Sequence, residues 1–228
     1  MNILICGFFR SGVRMVSDGF EAENETWCSD FLPDASIDWD ERLAFLGLSP
    51  KKKNTNLFHE LRDTKENTIG FFPCFLHPKQ WQKEISFVSE SSCITVIYRP
   101  VEQIIDSITR HGVKKIYLSK KGFAKMFALR KFNKSLADLQ NSVKNAYIDY
   151  YLAMLELIER NKYNFHLINS SNFTKEFPSL VEHINKKHGL NLKSKVEYYD
   201  EDLFNKMKEI DVYRDEGLNK IHSYFSSK

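Results

Sequence analysis

The sequence has few of the residues that build metal sites and disulfide frameworks. It contains four cysteines, at positions 6, 28, 74 and 93, with no CxxC pair and no cluster with histidine at zinc-finger spacing. Neither a structural metal nor a disulfide scaffold is therefore indicated. Reduced thiols, as in an intracellular protein, are the expected state.

A strong charge of one sign and long hydrophobic runs are also missing. The 33 Lys and Arg residues nearly balance the 30 Asp and Glu residues, and the net charge of +3 argues against a nucleic acid partner over the whole surface. No apolar run reaches the roughly 18 residues of a membrane span. The apolar start MNILICGFF lacks the basic segment of a signal peptide. We therefore expect a cytoplasmic protein with no membrane span.

The sequence does contain short apolar runs that alternate with helical patterns. The apolar runs lie at 2–6, 69–76, 93–98 and 164–168, and the helical patterns at 13–20, 101–108, 147–158 and 178–188. This alternation predicts an α/β fold with a central parallel sheet flanked by helices, in a single domain that spans residues 1–228. Polar stretches at about 21–67 and 111–146 are expected to be insertions, which either cover a substrate site or form loosely packed, solvated surface.

The segment GFFRSG at 7–12 follows the first apolar run and precedes a helical pattern. Its Gly-x4-Gly frame is that of a P-loop, in which backbone N–H groups hold phosphate oxygens. Nucleotide-hydrolysing P-loops continue with Lys and Ser/Thr, the latter for magnesium, whereas this chain has Val13 and Arg14. A magnesium-dependent kinase is thereby disfavoured.

This loop resembles that of sulfotransferases that use 3′-phosphoadenosine 5′-phosphosulfate. The family pattern is Lys or Arg followed by Ser/Thr-Gly-Thr-Thr, which Arg10, Ser11 and Gly12 match and Val13 and Arg14 do not. The resemblance implies a P-loop-like sulfotransferase architecture and Arg10 as the group that stabilises charge on the bridging oxygen. It also implies a loop around the 5′-phosphosulfate formed by Phe9, Arg10, Ser11, Gly12, Val13 and Arg14.

A second segment, CITVIYRPVEQIIDS, resembles the other half of the sulfotransferase pattern. An apolar strand ends at Arg99, and Ser107 follows eight residues later on the next helix. In the family these two side chains hold the 3′-phosphate, and a guanidinium and a hydroxyl are suited to that task. Arg214, in the segment RDEG, resembles a residue that some members lay over the nucleotide.

The resemblance also suggests a base for the acceptor proton. His77 in CFLHP is similar to the catalytic histidine of cytosolic sulfotransferases, although Phe75 stands where that family has a lysine. A structural histidine at a strand end is an equal alternative. Glu25 is the second candidate base, because carbohydrate sulfotransferases use a glutamate some way past the first loop.

The implied activity is transfer of a sulfuryl group from 3′-phosphoadenosine 5′-phosphosulfate to a hydroxyl or amine of a glycan or small molecule. Positioning and charge stabilisation can carry such a transfer without a metal. Two alternatives stay open. One is a catalytically impaired nucleotide-binding protein of the same fold, and the other is a P-loop kinase with an altered phosphate loop.

Overall fold

The computed structural model describes seven stretches of the chain, residues 2–8, 10–22, 68–71, 92–107, 136–160, 165–196 and 215–226. Their strands are β1 (Asn2–Gly7), β2 (Phe20–Ala22), β3 (Thr68–Phe71), β4 (Ser92–Tyr98), β5 (Phe165–Asn169) and β6 (Leu192–Ser194). Their helices are α1 (Val13–Gly19), α2 (Val101–Ser107), α3 (Leu136–Arg160), α4 (Phe173–His188) and α5 (Glu216–Ser226), with a 3-10 turn at Ser170–Asn172.

Four of the strands form a parallel sheet in the order β3-β1-β4-β5. The inner strands β1 and β4 are runs of buried, mostly apolar residues, as expected of strands covered on both faces. β2 and β6 form a separate antiparallel pair. The predicted α/β fold with a parallel sheet flanked by helices is confirmed.

Alternate residues of β1 serve the two faces of the sheet. Leu4 and Cys6, together with Phe8 just after the strand, pack with α3 and α5 on one face. Ile3 and Ile5 pack with α1 and α4 on the other. Each face thus has its own apolar layer, and the sheet is fixed between them.

Helix α3 is longer than the sequence pattern predicts. The insertion expected at 111–146 gives way to helix from Leu136 onward. Val143 is buried on the same side as Tyr147 and Tyr150, so the apolar stripe begins at least one turn before the predicted start of the helix. The predicted end of α4 is correct, because Gly189 takes the left-handed conformation with φ of 65° and closes the helix.

Most of the first insertion, residues 23–67, lies outside the described residues. No helix in the described ranges is both long enough and apolar enough to cross a membrane.

Candidate functional site

The two predicted phosphate-binding segments lie at the same edge of the sheet. β1 and β4 are neighbours in parallel register, with Gly7 opposite Ile97. The loop after β1 and the turn at Arg99 after β4 therefore emerge side by side. In open α/β sheets, ligands bind beyond the carboxyl ends of the strands. This edge is the candidate site.

The loop after β1 is a tight turn with two left-handed residues. The Ser11 N–H donates to the Phe8 carbonyl at 2.9 Å. Arg10 has φ of 66° and Gly12 has φ of 103°. Glycine adopts this region freely, whereas an arginine there costs about 1–2 kcal/mol. Non-glycine residues seldom adopt this conformation, so the backbone at Arg10 is a distinctive feature of the loop.

Arg10, Arg99 and Ser107 come together above this edge. Arg99 Nη1 donates to the Arg10 carbonyl at 3.0 Å, and Arg99 Nε donates to Gln103 Oε1 at 3.2 Å. Arg10 Nε donates to Ser107 Oγ at 3.1 Å. Ser107 is nearly buried at the end of α2, while Arg10 is exposed. The structure thus joins residues that are 97 positions apart in the sequence through one hydrogen bond.

Two positive charges are held close together at this point. The pKa of Arg99 is lowered to about 10, chiefly by its partial burial and then by the charge of Arg10, while Asp106 opposes the shift. Burial and a neighbouring positive charge both disfavour the charged form of a guanidinium. Phosphate matches this arrangement, since guanidinium groups form strong charge-assisted bonds to its oxygens.

Two tyrosines of α3 hold the strand ends on which the site is built. Tyr147 donates its hydroxyl to the Arg99 carbonyl at 2.9 Å. Tyr151 donates to the Ile97 carbonyl at 2.7 Å and accepts from the Phe8 N–H at 3.4 Å. Burial raises the pKa of Tyr151, so it stays a neutral donor. The helical pattern at 147–158 explains the burial of both rings but not their hydroxyl bonds, although a buried tyrosine usually has a hydroxyl partner.

The side chains of Ser11 and Val13 pack against the protein interior. Ser11 is fully buried, its hydroxyl lies against Gly7 and beside Tyr151, and it meets the geometry of no hydrogen bond among the described residues. Val13 packs on the apolar layer between the sheet and α4. The Ser11 hydroxyl therefore packs inside the loop and does not face its outer surface.

Several predicted site residues fall outside what the structure describes. They are Phe9 in the loop, the candidate bases Glu25 and His77, and Arg214. Arg14 belongs to α1, but its side chain is also outside the described part. Their roles remain predictions. In the described ranges, no group of three or more His, Cys, Asp or Glu side chains is arranged to hold a metal ion.

Comparison with known proteins gives matches in structure and none in sequence. No family model and no curated protein matches the chain. Its fold is similar to the sulfotransferase domain from the curacin biosynthetic pathway, with a TM-score of 0.56 and 10% identity over 98% of this chain and 96% of that domain. A mouse sulfotransferase, SULT7A1 complexed with PAP, gives a TM-score of 0.41 and 12% identity over 89% of this chain and 61% of its own. The chain therefore has the fold of a sulfotransferase domain.

Proposed function

We propose that the protein is a sulfotransferase that uses 3′-phosphoadenosine 5′-phosphosulfate. The observation that supports this most directly is the meeting of Arg10, Arg99 and Ser107 at the carboxyl edge of β1 and β4. Two guanidinium groups and a hydroxyl suit a phosphate-bearing donor. They stand at the sheet edge where this class of fold binds ligands.

The reaction would move the sulfuryl group in line from the donor's phosphate oxygen to an acceptor oxygen or nitrogen. The sulfur–oxygen bond to the phosphate breaks, a bond to the acceptor forms, and the acceptor proton passes to a base. His77 is the first proposed base and Glu25 the second, while the bisphosphate leaves with the electron pair of the broken bond. The cationic pair Arg10 and Arg99 would offset the negative charge of the donor.

The acceptor is proposed to be a hydroxyl or amine of a glycan or small molecule. The acceptor is expected to bind the insertions at about 21–67 and 111–146, of which the part from Leu136 onward is helix α3. A panel of glycans, phenols and amines with labelled donor would identify the class. Transfer to none of them, with intact donor binding, would contradict the acceptor assignment.

Donor binding is tested first, by titration with adenosine 3′,5′-bisphosphate and, separately, with ATP and magnesium. Arg99→Ala should weaken bisphosphate binding by about 10-fold or more, because charge-assisted hydrogen bonds contribute about 1.5–3 kcal/mol. Arg160→Ala is the matched control, since that side chain is 68% exposed and pairs only loosely with Glu156 at 3.6 Å.

Two outcomes would contradict the proposal. Stabilisation by ATP and magnesium without any effect of the bisphosphate would favour the altered P-loop kinase. Bisphosphate affinity that is the same in Arg99→Ala and Arg160→Ala would refute the role of Arg99.

A second candidate function is donor-nucleotide binding without transfer. It is favoured by Val13, which packs into the apolar layer where the sulfotransferase pattern has a hydroxyl that donates to the 5′-phosphate. Transfer of radiolabelled sulfate to any acceptor separates the two functions. Tight bisphosphate binding with no transfer would support the second.

A further inference from the structure

We propose that Arg10 recognises the 3′-phosphate of the donor together with Arg99 and Ser107, and does not serve the 5′-phosphosulfate to which the loop match assigns it. The inference rests on the proposed function and names the residues that make the site selective for a 3′-phosphorylated nucleotide. It follows from three features of the described residues.

The first feature is the direction of the Arg10 side chain. Its Nε lies 3.1 Å from Ser107 Oγ, at the end of α2 and two helical turns beyond Arg99. A hydroxyl can accept one hydrogen bond and donate another at the same time. Ser107 can therefore accept from Arg10 while it donates to a phosphate oxygen. A phosphate held by Ser107 is then within reach of the Arg10 guanidinium.

The second feature is the shared frame of the two arginines. Arg99 Nη1 donates to the backbone carbonyl of Arg10 at 3.0 Å. Arg99 Nε donates to Gln103 Oε1 at 3.2 Å, and this bond orients the guanidinium. The left-handed backbone at Arg10, with φ of 66°, is part of this frame. A change in the position of Arg99 would move Arg10 as well. The two side chains thus form one recognition unit.

The third feature is charge. A terminal phosphate monoester carries close to two negative charges at neutral pH, since its second pKa is about 6. Two guanidinium groups at the same edge of the sheet suit that dianion. Burial lowers the pKa of Arg99 most, and the charge of Arg10 lowers it further. The 5′-phosphosulfate divides its two charges between a phosphorus and a sulfur centre, whereas the 3′-phosphate monoester places both on one phosphorus.

The test compares three nucleotides on the same protein by calorimetric or competition titration. They are adenosine 3′,5′-bisphosphate, adenosine 3′-monophosphate and adenosine 5′-monophosphate. Arg10→Ala should weaken the first two by about 10-fold or more and the 5′-monophosphate by less than about twofold. Arg10→Gln keeps a hydrogen-bond donor but removes the charge. It should also weaken binding of the bisphosphate and the 3′-monophosphate more than binding of the 5′-monophosphate. Arg160→Ala should change none of them.

A double-mutant cycle adds a second readout. If Arg10 and Ser107 act on one phosphate, the losses in Arg10→Ala and Ser107→Ala should be more strongly non-additive for the two 3′-phosphorylated nucleotides than for the 5′-monophosphate, to which their direct hydrogen bond contributes equally. Equal weakening of the bisphosphate and the 5′-monophosphate by Arg10→Ala would overturn the inference and return Arg10 to the 5′ side. Unchanged binding of all three nucleotides would overturn it too. Failure of the unmutated protein to bind the bisphosphate is a different result, because it would overturn the proposed function itself.

Discussion

Replacing Tyr151 by phenylalanine removes one hydroxyl from the point where the two strand ends of the site are joined. Tyr151 has no exposed surface, and its hydroxyl donates to the Ile97 carbonyl at 2.7 Å and accepts from the Phe8 N–H at 3.4 Å. Phenylalanine keeps the ring and its edge contacts with Tyr98 and Phe225. The substitution therefore isolates the hydrogen bonds from the packing.

The expected loss in the free energy of unfolding follows from the two contacts. A buried group left without its partner costs about 1–3 kcal/mol. The 3.4 Å contact is long and adds little, so the Ile97 carbonyl sets the size of the effect. For a protein of this size, each kcal/mol lowers the midpoint of thermal unfolding by about 2–4 °C.

Urea unfolding and calorimetry measure this loss, and Tyr98→Phe provides the matched control. Tyr98 is equally buried, and its hydroxyl hydrogen bonds with His222 Nδ1 at 2.8 Å, away from the carbonyls of the strand end. Both variants should lose stability, but only Tyr151→Phe should also weaken bisphosphate binding. A Tyr151→Phe protein as stable as the unmutated one would refute the reasoning. Equal losses of affinity in the two variants would refute the specific role of the Tyr151 hydroxyl in holding the site.

Two further predictions concern the glycine at the start of the loop and a half-buried histidine. Gly7→Ala would place a methyl group 2.7 Å from Ile97 Cγ2 and 2.9 Å from the Ile97 carbonyl oxygen, so overpacking should cost about 1–3 kcal/mol in urea unfolding. A Gly7→Ala protein with the same free energy of unfolding as the unmutated one would contradict the prediction. Burial, with nearby His183, lowers the pKa of His166 from 6.5 to about 4. The unfolded chain binds this proton more readily, so stability should be full above pH 6.5 and fall as the pH drops toward 4. His166→Gln should reduce that fall, and an unchanged acid profile would contradict it.

The strand ends of the site could be predicted because each carries a local signal. An apolar run that stops at Gly7, and another that stops at Arg99 before a proline, are recognisable without any knowledge of tertiary structure. Ser107 could be placed on a helix because the apolar positions after Pro100 repeat with helical spacing. Periodicity and turn residues therefore sufficed for the elements that carry both segments.

The contacts between the segments could not be predicted in the same way. β1 pairs with β4 on one side and β3 on the other, and this order follows from tertiary packing. The bond from Arg10 to Ser107 depends on that order, and so does the carbonyl that Arg99 contacts in the loop. Local patterns contain no information about either contact.

The tyrosines of α3 were missed for a different physical reason. Helical periodicity reports which face of a helix is buried, and a tyrosine ring satisfies that pattern as well as a leucine does. The hydroxyl adds a second requirement, because it needs a hydrogen-bond partner once the ring is buried. Tyr147 and Tyr151 are one turn apart, and their hydroxyls contact the carbonyls of Arg99 and Ile97 at the strand end. Buried tyrosines at this spacing are a signal for a polar edge beneath the helix.

Arg99 holds parts of the site together in addition to its proposed role in binding the donor. Its carbonyl accepts from Tyr147, its Nε is oriented by Gln103, and its Nη1 holds the loop carbonyl of Arg10. A lysine at this position would have a single terminal nitrogen and could not reproduce the fork that serves Gln103 and the loop together. Loss of the Arg99 side chain would thus remove one charge and also release the backbone that positions the other. Its substitution should therefore weaken donor binding by more than the contacts of one guanidinium would explain.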